Sequence, residues 1–347
     1  MKMMENELYR QDIETAVRNS VGIEKLFGTS VMITGATGLV GSFITDMLLY
    51  LNQEKNAGIT IYAGSRSAQR IFDRFGNAPG LEVLEQNVIK PFAFGRHLDY
   101  IIHAASNAYP KAMNEEPVET IMANIQGTTN LLELGKGCGA KRLLFVSSGE
   151  VYGKCDEKIG KFTEDYSGYL DSINPRSCYP QAKRMAETLC VSFQKEYGFE
   201  SVIARLCHTF GPNVTSNDNR ATVQFFNNAA CGEDIVLKSE GLQTRSYQYI
   251  ADSAAALLTI LLEGESGSAY NIANDESTIS IRNLAEKIAA AAGTKAIVKA
   301  PTQSDIAERT FIEHQVLDST RLLGLGWKNA FSLDLAIEHT LKILKEC

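Results

Sequence analysis

Tyr179 and Lys183 stand four residues apart in "RSCYPQAKR", residues 176–184. On a helix that spacing is about one turn, so both side chains leave from one face. A phenol beside a buried ammonium is expected to lose its proton below its usual ~10. Such a phenol serves as acid or base toward a substrate alcohol, and the lysine can also hold a ribose. A third group must hold the substrate oxygen. "SSGEVYG" at 147–153 offers Ser147 and Ser148, with Glu150 two places on. Taken alone, a Tyr-x-x-x-Lys spacing also occurs as an ordinary surface pair on helices.

A second chemical signal lies upstream. "TGATGLVG", residues 34–41, carries Gly35, Gly38 and Gly41 between a short apolar run and an apolar helix. Gly35 allows a tight turn, Gly38 lets backbone approach a pyrophosphate, and Gly41 lets the helix lie close to the strand. The pyrophosphate then meets free N–H groups at the helix N-terminus. Where an NAD site would place a carboxylate, at the end of the second strand, the sequence reads "AGSRSAQR". Ser65 and Arg66 there suit a 2′-phosphate, whereas an Arg66 stacked on adenine would suit NAD. NAD and NADP both stay open.

The elements that must position these groups alternate. Apolar strands are expected at 31–33, 59–64, 81–88, 98–106, 142–148 and 200–206, with helices at 118–136 and 179–197 between the later ones. Strands apolar on both faces and separated by helices predict an α/β fold with a doubly wound parallel sheet. After residue 207 short strands mix with helices near 222–231, 251–263, 280–292 and 332–346. The division this predicts is a helical extension over 1–28, a dinucleotide-binding domain over 29–207, and a smaller α/β lobe over 208–347. The end of the sheet domain is interleaved with that lobe.

Composition narrows the function. Net charge is −7 and no basic tract stands out, which argues against nucleic acid as a partner. Seven scattered cysteines without a Cys-x-x-Cys pair read as reduced, cytoplasmic thiols. The five histidines show no paired spacing, so no metal site is expected. The polar start "MKMMENELYRQDIETAVRN" does not read as a secretory leader, and no apolar run reaches the ~18 residues of a membrane span.

Together these segments resemble the extended short-chain dehydrogenase/reductase family, the nucleotide-sugar epimerases, dehydratases and decarboxylases. "TGATGLVG", "IIHAAS", "NIQGTTNLLE", "FVSSGEVYG", "YPQAK", "RLCHTFGP" and "GLQTRSYQYIAD" follow in family order from about residue 29 to the C-terminus. The resemblance implies a Rossmann fold and a tightly held NAD or NADP that is recycled. It implies cofactor contacts from Gly35, Thr37, Gly38, Leu39, Gly41, Ser65, Arg66, Asn87, Val88, Ala104, Ala105, Ser106, Asn124, Ser147, Tyr179 and Lys183. It assigns catalysis to Tyr179, Lys183, Ser148 and Glu150. Ser148 would hold the reacting oxygen and Glu150 would be a base at sugar C5. Ser148, His208, Arg220, Arg245 and Arg309 would bind a nucleotide sugar, with Arg245 on the diphosphate. Relatives in this family tend to form homodimers through the helices that correspond to 118–136 and 179–197.

The resemblance also ranks the reactions. Gly149 replaces the acid that family 4,6-dehydratases carry in "STDEVYG". "NPRSCYPQAKRMAET" and "GLQTRSYQYIAD" are most similar to the UDP-glucuronate decarboxylases. Two departures remain: His208 replaces an asparagine, and His314 lies near the place of an arginine for the sugar carboxylate. The expectation is oxidation at C4 followed by chemistry at C5, with a decarboxylase-like or epimerase outcome. A 4,6-dehydratase is the second reading, and a non-catalytic dinucleotide sensor a third.

Overall fold

The computed structural model describes residues 3–154, 160–215, 218–300 and 313–346. Its strands are β1 (Ser30–Thr34), β2 (Thr60–Ser65), β3 (Leu81–Glu85), β4 (Tyr100–His103), β5 (Arg142–Ser148), β6 (Ser201–Leu206), β7 (His208–Phe210), β8 (Ile235–Leu237), β9 (Thr244–Tyr249), β10 (Ala269–Ile272), β11 (Thr278–Ser280), β12 (Ala296–Val298) and β13 (His314–Gln315). The longer helices are α1 (Glu7–Asn19), α2 (Leu39–Lys55), α3 (Ala68–Phe75), α4 (Pro110–Glu115), α5 (Pro117–Cys138), α6 (Cys178–Tyr197), α7 (Ala221–Ala230), α8 (Ile250–Glu263) and α9 (Ile281–Ala292), followed by a C-terminal helix Leu333–Glu346.

Seven strands form one sheet in the order β10-β6-β5-β4-β1-β2-β3. Every pairing in it is parallel. This is the expected doubly wound α/β sheet. β1, β4 and most of β5 are fully buried because helices cover both faces, which is why these strands read as continuous apolar runs. The strand order reverses between β1 and β4, and a crevice opens there beyond the carboxyl ends. β3 sits at the edge, only partly covered, and ends at Glu85 rather than running on to 88.

The chain leaves this sheet after β6, builds β7, β8 and β9, and returns through α8 and β10. β9 is the centre of the second sheet, with β11, β13 and β7 paired to it. α1 is polar by composition, yet it packs on α2, α8 and the C-terminal helix. Tyr9 and Ile13 are fully buried there. The Tyr9 hydroxyl donates to Asp46 at 2.7 Å, and Arg74 pairs with the same carboxylate. Trp327, the only tryptophan of the chain, is also fully buried in the main core. Among the described residues its indole N–H has no hydrogen-bond acceptor.

Candidate active site

The glycine turn has the geometry its residues call for. Gly35 has φ of 72°, a left-handed conformation that favours glycine, and a Cβ there would lie 2.8 Å from the Ala105 amide nitrogen. A Cβ on Gly41 would overlap the Gly35 carbonyl oxygen, so this glycine lets α2 start against the turn. Gly38 is the N-cap of α2 and supplies no side-chain cap, which leaves the first N–H groups of the helix for a ligand. Beside the turn is a cleft of about 580 Å³ lined by Thr37, Gly38, Ser65, Arg66, Asn87, Val88, Ala104, Ala105 and Ser106, all of them expected there. A second cavity of about 400 Å³ shares Gly35, Gly38, Ala104 and Ser106 with it and continues toward α6. The residues present therefore fit a dinucleotide laid across the β1–β4 crevice.

The second cavity gathers the chemical groups: Leu39, Gly41, Ser147, Ser148, Glu150, Tyr179, Lys183, His208, Arg220 and Arg245 all line it. Tyr179 lies at the start of α6, one place before Pro180. A proline is tolerated there because first-turn N–H groups have no helical acceptor. Ser148 ends β5 and caps the following turn by accepting the Glu150 amide at 3.2 Å. That cap fixes Glu150 at the strand end. Tyr179 and Ser148 line the same cavity, and Ser148 favours ionisation of the phenol.

One expectation is corrected. The Tyr179 phenol is not pushed down but well up, first by burial and then by the Glu150 carboxylate; Ser148, Arg220 and Arg176 oppose this only in part. The Lys183 Nζ lies 5.6 Å from the Tyr179 ring centroid and is engaged elsewhere. The ammonium donates to the Val146 carbonyl at 2.6 Å and lies over the Phe145 ring at 4.6 Å. Burial pushes Lys183 itself down to about 7, against the pull of Glu187 and Cys190.

Other residues depart from their expected roles. The Ser147 hydroxyl donates to buried Glu187 at 2.5 Å, and Glu187 is paired to Arg205 at 2.7 Å. Ser147 therefore braces β5 against α6 while it still lines the cavity. Asn124 is fully buried behind the cleft and reaches it only through the Ser106 hydroxyl, to which its amide donates at 3.0 Å. Arg220 is bound at 2.6 Å to Asp218, a partner that blunts its charge toward an anion. His208 is held by Gln315 at 2.8 Å, and burial with nearby Arg245 pushes it down to about 3, so it is neutral. His314 faces the Gly160 carbonyl at 2.7 Å. Arg309 lies outside the described residues.

Arg245 extends from β9 and is nearly fully buried. Its Nη1 donates to the carbonyls of Thr244 at 2.9 Å and Glu313 at 3.0 Å. Burial pushes this guanidinium down, and Tyr247 and Glu150 hold it up. Two residues that motif reading did not single out join the site. Arg176 reaches Glu150 at 3.5 Å, and Asp218 faces Arg220. Arg176 lay within the quoted "NPRSCYP", but nothing local shows that its partner is 26 residues earlier.

Comparison with known proteins agrees with this geometry. Residues 31–273 match the NAD dependent epimerase/dehydratase family. UDP-glucuronic acid decarboxylase 1 of Xenopus tropicalis is 31% identical over 91% of this chain and 72% of its own length. UDP-glucuronic acid decarboxylase 6 of Arabidopsis thaliana is 33% identical over 81% of this chain and 77% of its own. Among solved structures, UDP-glucose 4-epimerase of Thermotoga maritima shares the fold, with a TM-score of 0.77 at 21% identity, covering 91% of this chain and 99% of that one. With the match spanning both the glycine turn and the Tyr–Lys helix, this chain belongs to the NAD dependent epimerase/dehydratase family of enzymes.

Proposed function

We propose that this enzyme removes CO2 from a UDP-linked hexuronate after oxidation at the sugar C4. The observation that carries the reading is the pairing of Glu150 with Arg176, at 3.5 Å, beside Ser148 and Tyr179. Ser148 and Tyr179 hold the C4 oxygen, and the phenol moves its proton. Glu150 lies where the neighbouring carbon, C5, would sit and handles the proton there. On this reading Arg176, paired to Glu150 in the same cavity, would face C6, where a uronate carries its carboxylate. The Gly35–Gly41 turn would hold a nicotinamide dinucleotide, which would supply reversible hydride transfer at C4. With a carbonyl at C4, the C6 carboxylate becomes part of a β-keto acid. The C5–C6 bond breaks, CO2 leaves, and its electron pair flows to the C4 oxygen. Tyr179 takes the C4 hydroxyl proton as the alcohol is oxidised, and the phenol so formed then faces the enolate oxygen. The similarity to UDP-glucuronic acid decarboxylases supports this substrate class.

Two coarser features are proposed with it. α5 and α6 lie side by side and expose Val118, Met122, Met185 and Val191, which supports a homodimer through this face. The five described cysteines are free thiols, which supports a cytoplasmic location.

The test offers UDP-glucuronate labelled at C6, UDP-galacturonate and UDP-glucose to the purified enzyme with dinucleotide. Labelled CO2 and a UDP-pentose are expected from a hexuronate. Tyr179→Phe should cut turnover by ~10²–10⁴-fold. An epimer of UDP-glucose with no CO2 from either uronate would replace this reading with a C4 epimerase.

A further inference from the structure

The end of β2 carries a feature that the reaction above does not use. β2 lies beside β1 in register, Thr34 opposite Gly64, so its last residue, Ser65, stands next to the glycine turn. In folds of this type a carboxylate at that place accepts from the adenosine ribose 2′-hydroxyl. Here Ser65 and Arg66 stand there instead, and both line the 580 Å³ cleft. Arg70, four residues on, lines the same cleft from the first turn of α3. Arg66 lies in the bend just before α3 and Arg70 in its first turn, and both side chains line the one cleft.

Both arginines are exposed, and among the described residues neither has a carboxylate or carbonyl partner. Arg74, one turn further, shows the contrast: Asp46 and Tyr9 already hold it. Two acids lie near. Glu85 pairs with Ser65 across the strands but does not line the cleft. Asp73 does line it, on the second turn of α3, and its carboxylate accepts the Gln69 amide at 2.7 Å. The end of β2 thus presents a hydroxyl and two uncompensated cations, a set that would repel nothing anionic and that a neutral ribose hydroxyl does not need.

Resting on the dinucleotide reading above, we infer that Ser65, Arg66 and Arg70 form a clamp for a ribose 2′-phosphate, so that this chain prefers NADP to NAD. Arginine suits the role because its planar fork bonds two phosphate oxygens at once, and it keeps its charge at any working pH.

The experiment compares 2′-phospho-ADP-ribose with ADP-ribose by calorimetry on nucleotide-stripped enzyme. These probes differ only in the phosphate and carry no nicotinamide, so redox activity does not enter. The phosphorylated probe should bind at least about tenfold more tightly, the size of one charge-assisted hydrogen bond. Arg66→Ala and Arg70→Ala should each narrow that gap by a similar factor and leave ADP-ribose unchanged. Asp73→Asn should not narrow it. Raising salt should close it, because both cations are exposed. Equal affinity for the two probes in the unaltered enzyme would overturn the inference, as would equal losses for both probes in the arginine variants. Binding of neither probe would instead overturn the dinucleotide reading itself.

Discussion

At Glu150 two neighbours compete for one carboxylate. Arg176 faces it at 3.5 Å, while the Glu150 charge pushes the buried Tyr179 phenol up and Arg176 opposes that push. A group so placed can act on a proton at C5 without being needed for oxidation at C4. Glu150→Gln keeps the shape and removes the charge. In deuterated water the variant should still form the 4-keto sugar, and deuterium at C5 should appear ~10²–10⁴-fold more slowly, as followed by mass spectrometry. C5 labelling at the unaltered rate would make Glu150 a structural partner of Arg176 and nothing more. The Tyr179–Lys183 pair was legible in the sequence because its geometry is local, one helical turn. The state of the phenol was not. It depends on burial and on Glu150 arriving from another strand end, while Lys183 donates to the Val146 carbonyl 37 residues away.

Among the elements, the turn between β1 and α2 is the most tightly specified. Two of its three glycines leave no room for a side chain: Gly35 faces Ala104 and Ala105 backbone, and Gly41 faces Gly35 itself. Gly41→Ala should therefore force α2 away from the turn. The expected cost is about 1–3 kcal/mol of stability, together with weaker ADP-ribose binding by calorimetry. Gly137→Ala, in α5 where a Cβ meets nothing within 4 Å, is the control and should stabilise by roughly 0.5–1 kcal/mol. Strands β1, β2, β4, β5 and β6 could be read from their apolar runs because both faces are covered. The short helices α3 and α4 were not read from the sequence: eight and six residues carry too little periodic signal. Strand alternation also cannot say that Glu187, on a helix 40 residues away, accepts the Ser147 hydroxyl.

At the scale of the molecule, the N-terminal helix α1 closes a junction of several elements. Tyr9 bonds Asp46 on α2, and Asp12 accepts from Tyr249 at 2.6 Å while facing His339 of the C-terminal helix at 2.7 Å. Polar by composition, this segment hides its weight, since Tyr9 and Asp12 point inward to partners far along the chain. Tyr9→Phe leaves the fully buried Asp46 with Arg74 as its remaining partner. It should cost about 1–3 kcal/mol, seen as a lower urea midpoint. An unchanged midpoint would show that Arg74 alone satisfies the carboxylate. Trp327, sealed in the same main core, also decides how such a midpoint can be read. A single, fully buried indole should emit at short wavelength and resist quenching by iodide until the chain unfolds. Its red shift in urea would then follow the opening of one core, with no second tryptophan to blur the signal.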